Sequence, residues 1–321
     1  MPWTWWEVFM ELSVIICTYK RPDLVKNVLS DLERAAYQVN VDWEIILIDN
    51  AGDKIVKSNC ERSVLFNKNI LKYFYEPCAG VSMARNRAVR ESSGKFLLFL
   101  DDDVRFDSSF LRKIFGKIES DRDVDILSPR IITPIREGWP RWLRVRLASG
   151  VGQFELGDEV IDLNVTTKIP IGACVCVRRK VCIRYGPFEA DLDRAGKMIF
   201  GGGETLLLRR ALKDGVRGRY FPDIIVRHEL ISNKQNKRYW RRHAFYGGRT
   251  YIRMQNHMAQ PCLSSGQLVK FLAMGLGKAA IRALAIPLNP ARAFENQYRA
   301  ISRFGRVYEA MAFLLDRWKK S

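Results

Sequence analysis

No run in this sequence is apolar for long enough to cross a bilayer, since the C-terminal stretch Gln267–Ile286 is interrupted by Lys270, Lys278 and Arg282. No G-x-G-x-x-G follows the first candidate strand, which argues against a dinucleotide-dependent dehydrogenase. Helix-turn-helix, zinc-finger and RNP-like motifs are missing too, so nucleic acid is not the expected partner despite the basic charge. Histidine is scarce, at three residues, and neither it nor a second cysteine pair follows Cys174, Cys176 and Cys182 at zinc-ligand spacing. Acidic residues are outnumbered, 35 against 53 basic ones, and the net charge of +18 predicts attraction to an anionic membrane surface or to phosphorylated substrates. The seven cysteines are odd in number and scattered, several inside apolar runs such as Val14–Cys17 and Ala173–Val177. That is the pattern of reduced core thiols in a cytoplasmic chain.

What is present is 47% hydrophobic and 11% aromatic residues over 321 positions, enough to bury a large core. Leu12–Cys17 is a β-rich apolar run, followed by a polar turn at Thr18–Asp23 and a helical pattern through Leu24, Val28, Leu29 and Leu32. Glu44–Ile48 and Ile70–Tyr75 repeat the strand signal, the second leading through Gly80 into an Arg-rich helix, Ser82–Glu91. Lys95–Leu100 is almost wholly apolar, as a central strand buried on both faces must be, and it stops at Asp101-Asp102-Asp103. Further on, Ile169–Val177 is apolar, Glu204–Leu212 is helical and ends at Gly215, and Asp223–Val226 is a short strand. The alternation predicts an α/β fold with a doubly wound, mostly parallel sheet, whose ligands sit beyond the carboxyl ends of the strands.

From about Gln255 the pattern changes to helices with apolar faces and basic flanks, Gln267–Ile286 and Ala291–Trp318. The expected division is therefore an α/β domain over residues 10–254 and an amphipathic helical region over 255–321 suited to a membrane surface. Residues 1–9 carry Trp3, Trp5 and Trp6 but lack the pattern of a signal peptide. Two readings fit them equally: contact with a membrane interface, or a start placed too early, with Met10 beginning the chain.

Three adjacent aspartates at the end of a buried strand repel one another unless a cation neutralises them, and hard oxygen ligands suit Mg²⁺ or Mn²⁺. If the chain stays extended, strand alternation puts Asp101 and Asp103 on one side and Asp102 on the other. Around them stand Thr18-Tyr19-Lys20-Arg21-Pro22, Asp49-Asn50, Gly80-Val81-Ser82-Met83-Ala84-Arg85-Asn86, Gly186-Pro187-Phe188 and Gly201-Gly202-Gly203-Glu204. In this order, from about Leu12 to Arg249, the motifs resemble glycosyltransferase family 2, whose members have the GT-A fold, use nucleotide sugars and invert the anomeric centre.

The resemblance implies that Thr18, Tyr19 and Arg21 line the base and ribose pocket, that Asp49 hydrogen-bonds the nucleobase, and that Arg85 contacts the nucleotide. It implies further that Asp101 and Asp102 belong to the nucleotide site, Asp101 near the ribose, and that Asp103 holds the metal. His228, after Phe221-Pro222-Asp223, matches a histidine near the metal or diphosphate. The family's base lies in a Glu-Asp pair before Thr-x-Leu, where this sequence has Gly203-Glu204-Thr205. Anchoring on Thr205 and Arg209-Arg210 gives Glu204 that role; anchoring on Glu204 gives it to Thr205. The implied donor is a nucleoside diphosphate sugar, UDP-linked; the C-terminal helices and the charge suggest a glycan or lipid-linked saccharide acceptor at the inner face of the cell membrane. The rival reading is a sugar- or nucleotide-sugar-binding protein without catalysis.

Overall fold

The computed structural model describes residues 10–133, 142, 152–195, 198–229, 236–258, 277, 280–281 and 293–318. In chain order the first elements are β1 (Leu12–Thr18), α1 (Pro22–Ala36), β2 (Trp43–Asp49), α2 (Lys54–Glu61), α3 (Val64–Asn67), β3 (Leu71–Tyr75), α4 (Val81–Glu91) and β4 (Phe96–Asp101). β1 lies between β2 and β4, with β3 outside β2, all parallel. Every residue of β2 is buried, as is nearly all of β1 and β4, because helices and loops cover both faces of the sheet.

There follow β5 (Val104–Arg105), α5 (Phe110–Ser120), β6 (Ile126–Ile132), β7 (Ile161–Leu163), β8 (Cys174–Arg178) and α6 (Arg179–Tyr185). The chain continues through β9 (Arg194–Ala195), β10 (Met198–Ile199), α7 (Gly203–Lys213), β11 (Gly218–His228), α8 (Lys237–His257) and α9 (Ala293–Trp318). Beyond β4 the sheet continues β8-β6-β11-β5, with β7 on β11. Here the sheet departs from the parallel pattern: β8 is antiparallel to β4 and β6, while β5 and β7 are antiparallel to β11. A strand buried on both faces is apolar whichever way it runs, so the apolar text around Cys174 could not announce its direction. Gly215, at φ +82°, lies just beyond α7, as expected of a glycine after a helix end.

The chain divides into two compact units. The first takes in Met1–Ile132, Gly152–Phe188 and Leu207–Glu229, and the second Thr133–Val151, Glu189–Leu206 and Leu230–Ser321. In the second, α8 and α9 pack side by side, with bonds from Arg241 to Gln297, His243 to Tyr298 and Arg253 to Glu309. Residue numbers rise together along both helices, so the two run parallel. Their backbones meet at two glycines: a Cβ on Gly248 would stand 1.9 Å from the Ser302 carbonyl oxygen, and one on Gly305 would stand 2.1 Å from that of Phe245. Among the described residues no helix is long and apolar enough to cross a membrane. Residues 1–9 and nearly all of Gln267–Ile286 lie outside the described residues.

Candidate active site

The carboxyl ends of β1, β2 and β4 gather the polar residues of the first unit. Asp101 closes β4, and the two-residue strand β5 follows at once and pairs with the end of β11, His228 opposite Val104. This short ladder, with the Glu229 N–H donating to the Asp103 carbonyl at 2.7 Å, carries His228 to the aspartates. Its Nε2 lies 3.3 Å from Asp103 Oδ1. Gly152 faces the imidazole so closely that a Cβ there would come 3.0 Å from it. One oxygen each of Asp101 and Asp103 and a ring nitrogen of His228 all lie within 4.8 Å of one another. Asp103 and His228 are buried, whereas the Asp101 side chain is 39% exposed and opens the group to solvent. Desolvation foremost, then Asp103 and Asp102, push the Asp101 carboxyl up to about 6 against the pull of Arg85 and His228. Two crowded carboxylates and an imidazole whose Nδ1 finds no hydrogen-bond partner among the described residues form a donor set that fits a divalent cation such as Mn²⁺ or Mg²⁺.

Asp102 points elsewhere. It accepts the Thr18 hydroxyl at 2.7 Å and Arg21 Nη1 at 2.9 Å, and Arg21 also reaches Asp103 at 3.4 Å. Burial works against the guanidinium charge of Arg21, but Asp102 and Asp103 outweigh it and the net shift is upward. The middle aspartate thus fastens the loop after β1 to the end of β4. On that loop Lys20 holds φ +55°, unusual for a side chain with a Cβ, and Tyr19 is 53% exposed.

Asp49 is fully buried and accepts from the N–H groups of Ala51 and Asp53 and from the Tyr73 hydroxyl. Asn50 beside it donates to the carbonyls of Glu76 and Cys78 and accepts from the Gly80 N–H, tying β2 to the loop that opens α4. Arg85 on α4 is buried, 3.6 Å from Asp101, with its guanidinium 5.8 Å from the Phe188 ring. Asn86 fixes that ring by bonding both the N–H and the carbonyl of Phe188. Tyr73, Asn50 and Asn86 were not singled out from sequence. Only Asn50 and Asn86 carried a signal, as the residues after Asp49 and Arg85.

The first unit therefore brings together Thr18, Arg21, Arg85, Asp101, Asp102, Asp103 and His228, with Asp49 nearby in the β1–β2 register through Thr18. Glu204 stands in the first turn of α7, within the second unit, after Gly202 at φ +112°. Methionine and threonine of α8 crowd that glycine: a Cβ would lie 3.3 Å from Met254 Sδ and 3.4 Å from Thr250 Cγ2.

Succinoglycan biosynthesis protein ExoM of Rhizobium meliloti is 26% identical over 139 residues, 42% of this chain and 43% of its own. The uncharacterized glycosyltransferase YwdF of Bacillus subtilis is 29% identical over 184 residues, 57% of this chain and 63% of its own. The chain thus spans less than two thirds of either relative. Among solved structures, mannosyltransferase PcManGT from Pyrobaculum calidifontis, in complex with GDP-Man and Mn²⁺, matches with a TM-score of 0.58 at 18% identity over 93% of this chain and 87% of that one. S. aureus TarS 1-349 in complex with UDP matches with a TM-score of 0.53 at 15% identity over 96% and 92%. These likenesses show the GT-A fold. The model of the family described as glycosyl transferase family 2 matches residues 13–186, more than half of the sequence, and the chain belongs to that family.

Proposed function

We propose that the chain transfers a sugar from a nucleoside diphosphate, UDP-linked, to an acceptor hydroxyl with inversion of the anomeric centre. The observation that carries this reading is the convergence of Asp101, Asp103 and His228 beside the loop after β1. These three residues would hold a divalent cation, Mn²⁺ or Mg²⁺, which when bound stabilises the charge of a departing diphosphate. Arg21, fastened by Asp102, lines the base and ribose pocket with Thr18, and Arg85, beside Asp101, supplies positive charge to the nucleotide. Tyr19 offers an exposed ring to the nucleoside, and Asp49 shapes the turn against which the base is read. Glu204 takes the acceptor proton, a role that needs a carboxylate within hydrogen-bond reach of the hydroxyl. The charge of +18 favours an anionic setting, and the acceptor we assign is a glycan or lipid-linked saccharide at the inner membrane face.

Thermal unfolding with a panel of nucleoside diphosphates and nucleotide sugars, with and without Mn²⁺, tests the donor site in the wild type and Asp103→Ala. The expected result is metal-dependent stabilisation by one nucleotide family, lost in the variant; indifference to every nucleotide overturns the reading. The departure at Gly203-Glu204 favours one rival, a binding protein without catalysis. Glu204→Gln separates the two: transfer falls at least about a hundredfold with donor binding retained if Glu204 is the base, and an unchanged rate supports the rival.

A further inference from the structure

α9 carries an apolar row that the neighbouring helix leaves open. Phe304, Tyr308, Met311 and Leu315 recur at i, i+4, i+7 and i+11, which keeps them on one line of the helix, and they are 52, 48, 49 and 56% exposed. α8 reaches the edge of this row: the Phe245 ring lies 6.1 Å from Phe304 and 5.5 Å from Tyr308, and the Arg249 guanidinium 5.0 Å from the Tyr308 ring. The same spacing on α8 aligns Arg238, Arg242, Phe245 and Arg249. Arg238, Arg241 and Arg242 are exposed, and Arg241 bonds Gln297, which falls one heptad before Phe304 on the line of the α9 row. Because the helices run parallel, they share one surface whose N-terminal end is basic and whose C-terminal end is apolar.

The charge on this surface decides between its candidate occupants. A second copy seated on it would set two chains of +18 and their arginine clusters against each other. An anionic lipid surface complements the arginines and receives the apolar row as well. We propose that this face of α8 and α9 seats the chain on anionic lipid, Phe304, Tyr308, Met311 and Leu315 entering the interfacial layer and Arg238, Arg241 and Arg242 lying against headgroup phosphates. The proposal draws its purpose from the lipid-linked acceptor assigned above, but the contact itself requires no sugar transfer.

Co-sedimentation of the full chain with phosphatidylcholine vesicles, with and without phosphatidylglycerol, tests it. Binding is expected to the anionic vesicles and to fall as salt rises. Met311→Glu combined with Leu315→Glu should weaken it at least about tenfold, since two apolar side chains stay in water. Arg238→Glu combined with Arg242→Glu should weaken it only on vesicles containing phosphatidylglycerol. Both pairs should keep the wild-type thermal response to Mn²⁺ and nucleotide, which shows an intact fold. The proposal is overturned if wild type ignores anionic vesicles, or if the variants bind them as wild type does. It is equally overturned if Met311→Glu splits a dimer while vesicle binding stays. Vesicle binding by a protein that responds to no nucleotide would support this surface and sink the donor reading instead.

Discussion

Asp101 and Asp102 are neighbours in sequence with different partners, and substitution should separate them. Asp102 is buried and accepts from Thr18 and Arg21, so Asp102→Ala takes its acceptor from the Thr18 hydroxyl and leaves Arg21 with the longer 3.4 Å contact to Asp103. In metal-free protein this should cost about 2–3 kcal/mol in urea unfolding. Asp101→Asn relieves the crowding with Asp102 and Asp103 but takes a carboxylate from buried Arg85, 3.6 Å away, so the same measurement should show a change within about 0.5 kcal/mol of zero. Strand alternation would set Asp101 and Asp103 on one side of a chain that stayed extended, but β4 ends at Asp101 and a turn at Asp102–Asp103 is what brings both carboxylates to His228. The grip of Asp102 on Thr18 was illegible, because it depends on the register that places Cys17 of β1 opposite Asp101 of β4. Glu44 gives a pH test away from the site. Burial raises its carboxyl, but Lys72, the Ser93 N–H and the Ser13 hydroxyl pull harder, and the net shift is downward. A depressed folded pKa means that its contribution is complete above the unfolded value, about 4.3, and is lost as pH falls through the lower folded value. Glu44→Gln should therefore flatten the acid limb of a stability-against-pH curve, and an unaltered limb would exclude Glu44 as its source.

Elements explain why some of the site was legible and some was not. β1, β2 and β4 announced themselves as apolar runs ending in polar text, so their ends located the site before any contact was known. His228 stood in a matching context, yet its contact with Asp103 rests on β5, a pairing of two residues too short to leave a pattern. The parallel contact of α8 and α9 was equally silent, since Gly247 and Gly248 look alike in sequence. The structure distinguishes them. A methyl on Gly248 meets the Ser302 carbonyl oxygen at 1.9 Å and the Arg306 nitrogen at 3.0 Å, all backbone, while one on Gly247 meets nothing within 4 Å. Gly248→Ala should force the helices apart and lower stability by about 1–3 kcal/mol. Gly247→Ala, exposed within the same helix, should raise it by up to about 1 kcal/mol through helix propensity. Equal effects in thermal melts would contradict the contact.

At the scale of the molecule, fold class and family followed from the order of motifs, whereas the grouping of Glu189–Leu206 with α8 and α9 did not. Single side chains hold that grouping: Arg253 lies over the Phe200 ring at 4.2 Å and donates to the Asp191 carbonyl at 2.6 Å, contacts that composition cannot encode. The cation site has its own whole-molecule signature, because a ligand bound only by the folded chain raises unfolding free energy by RT ln(1 + [L]/Kd). Mn²⁺ at a hundred times its Kd should therefore stabilise the wild type by about 2.7 kcal/mol. Loss of one ligand in His228→Ala, weakening the site tenfold, should leave about 1.4 kcal/mol at the same concentration. Asp103→Ala should leave none. Calorimetric melts across a Mn²⁺ titration read all three, and the order matters more than the sizes. The site requires Asp103→Ala to respond least, and a response equal to wild type would place the cation elsewhere.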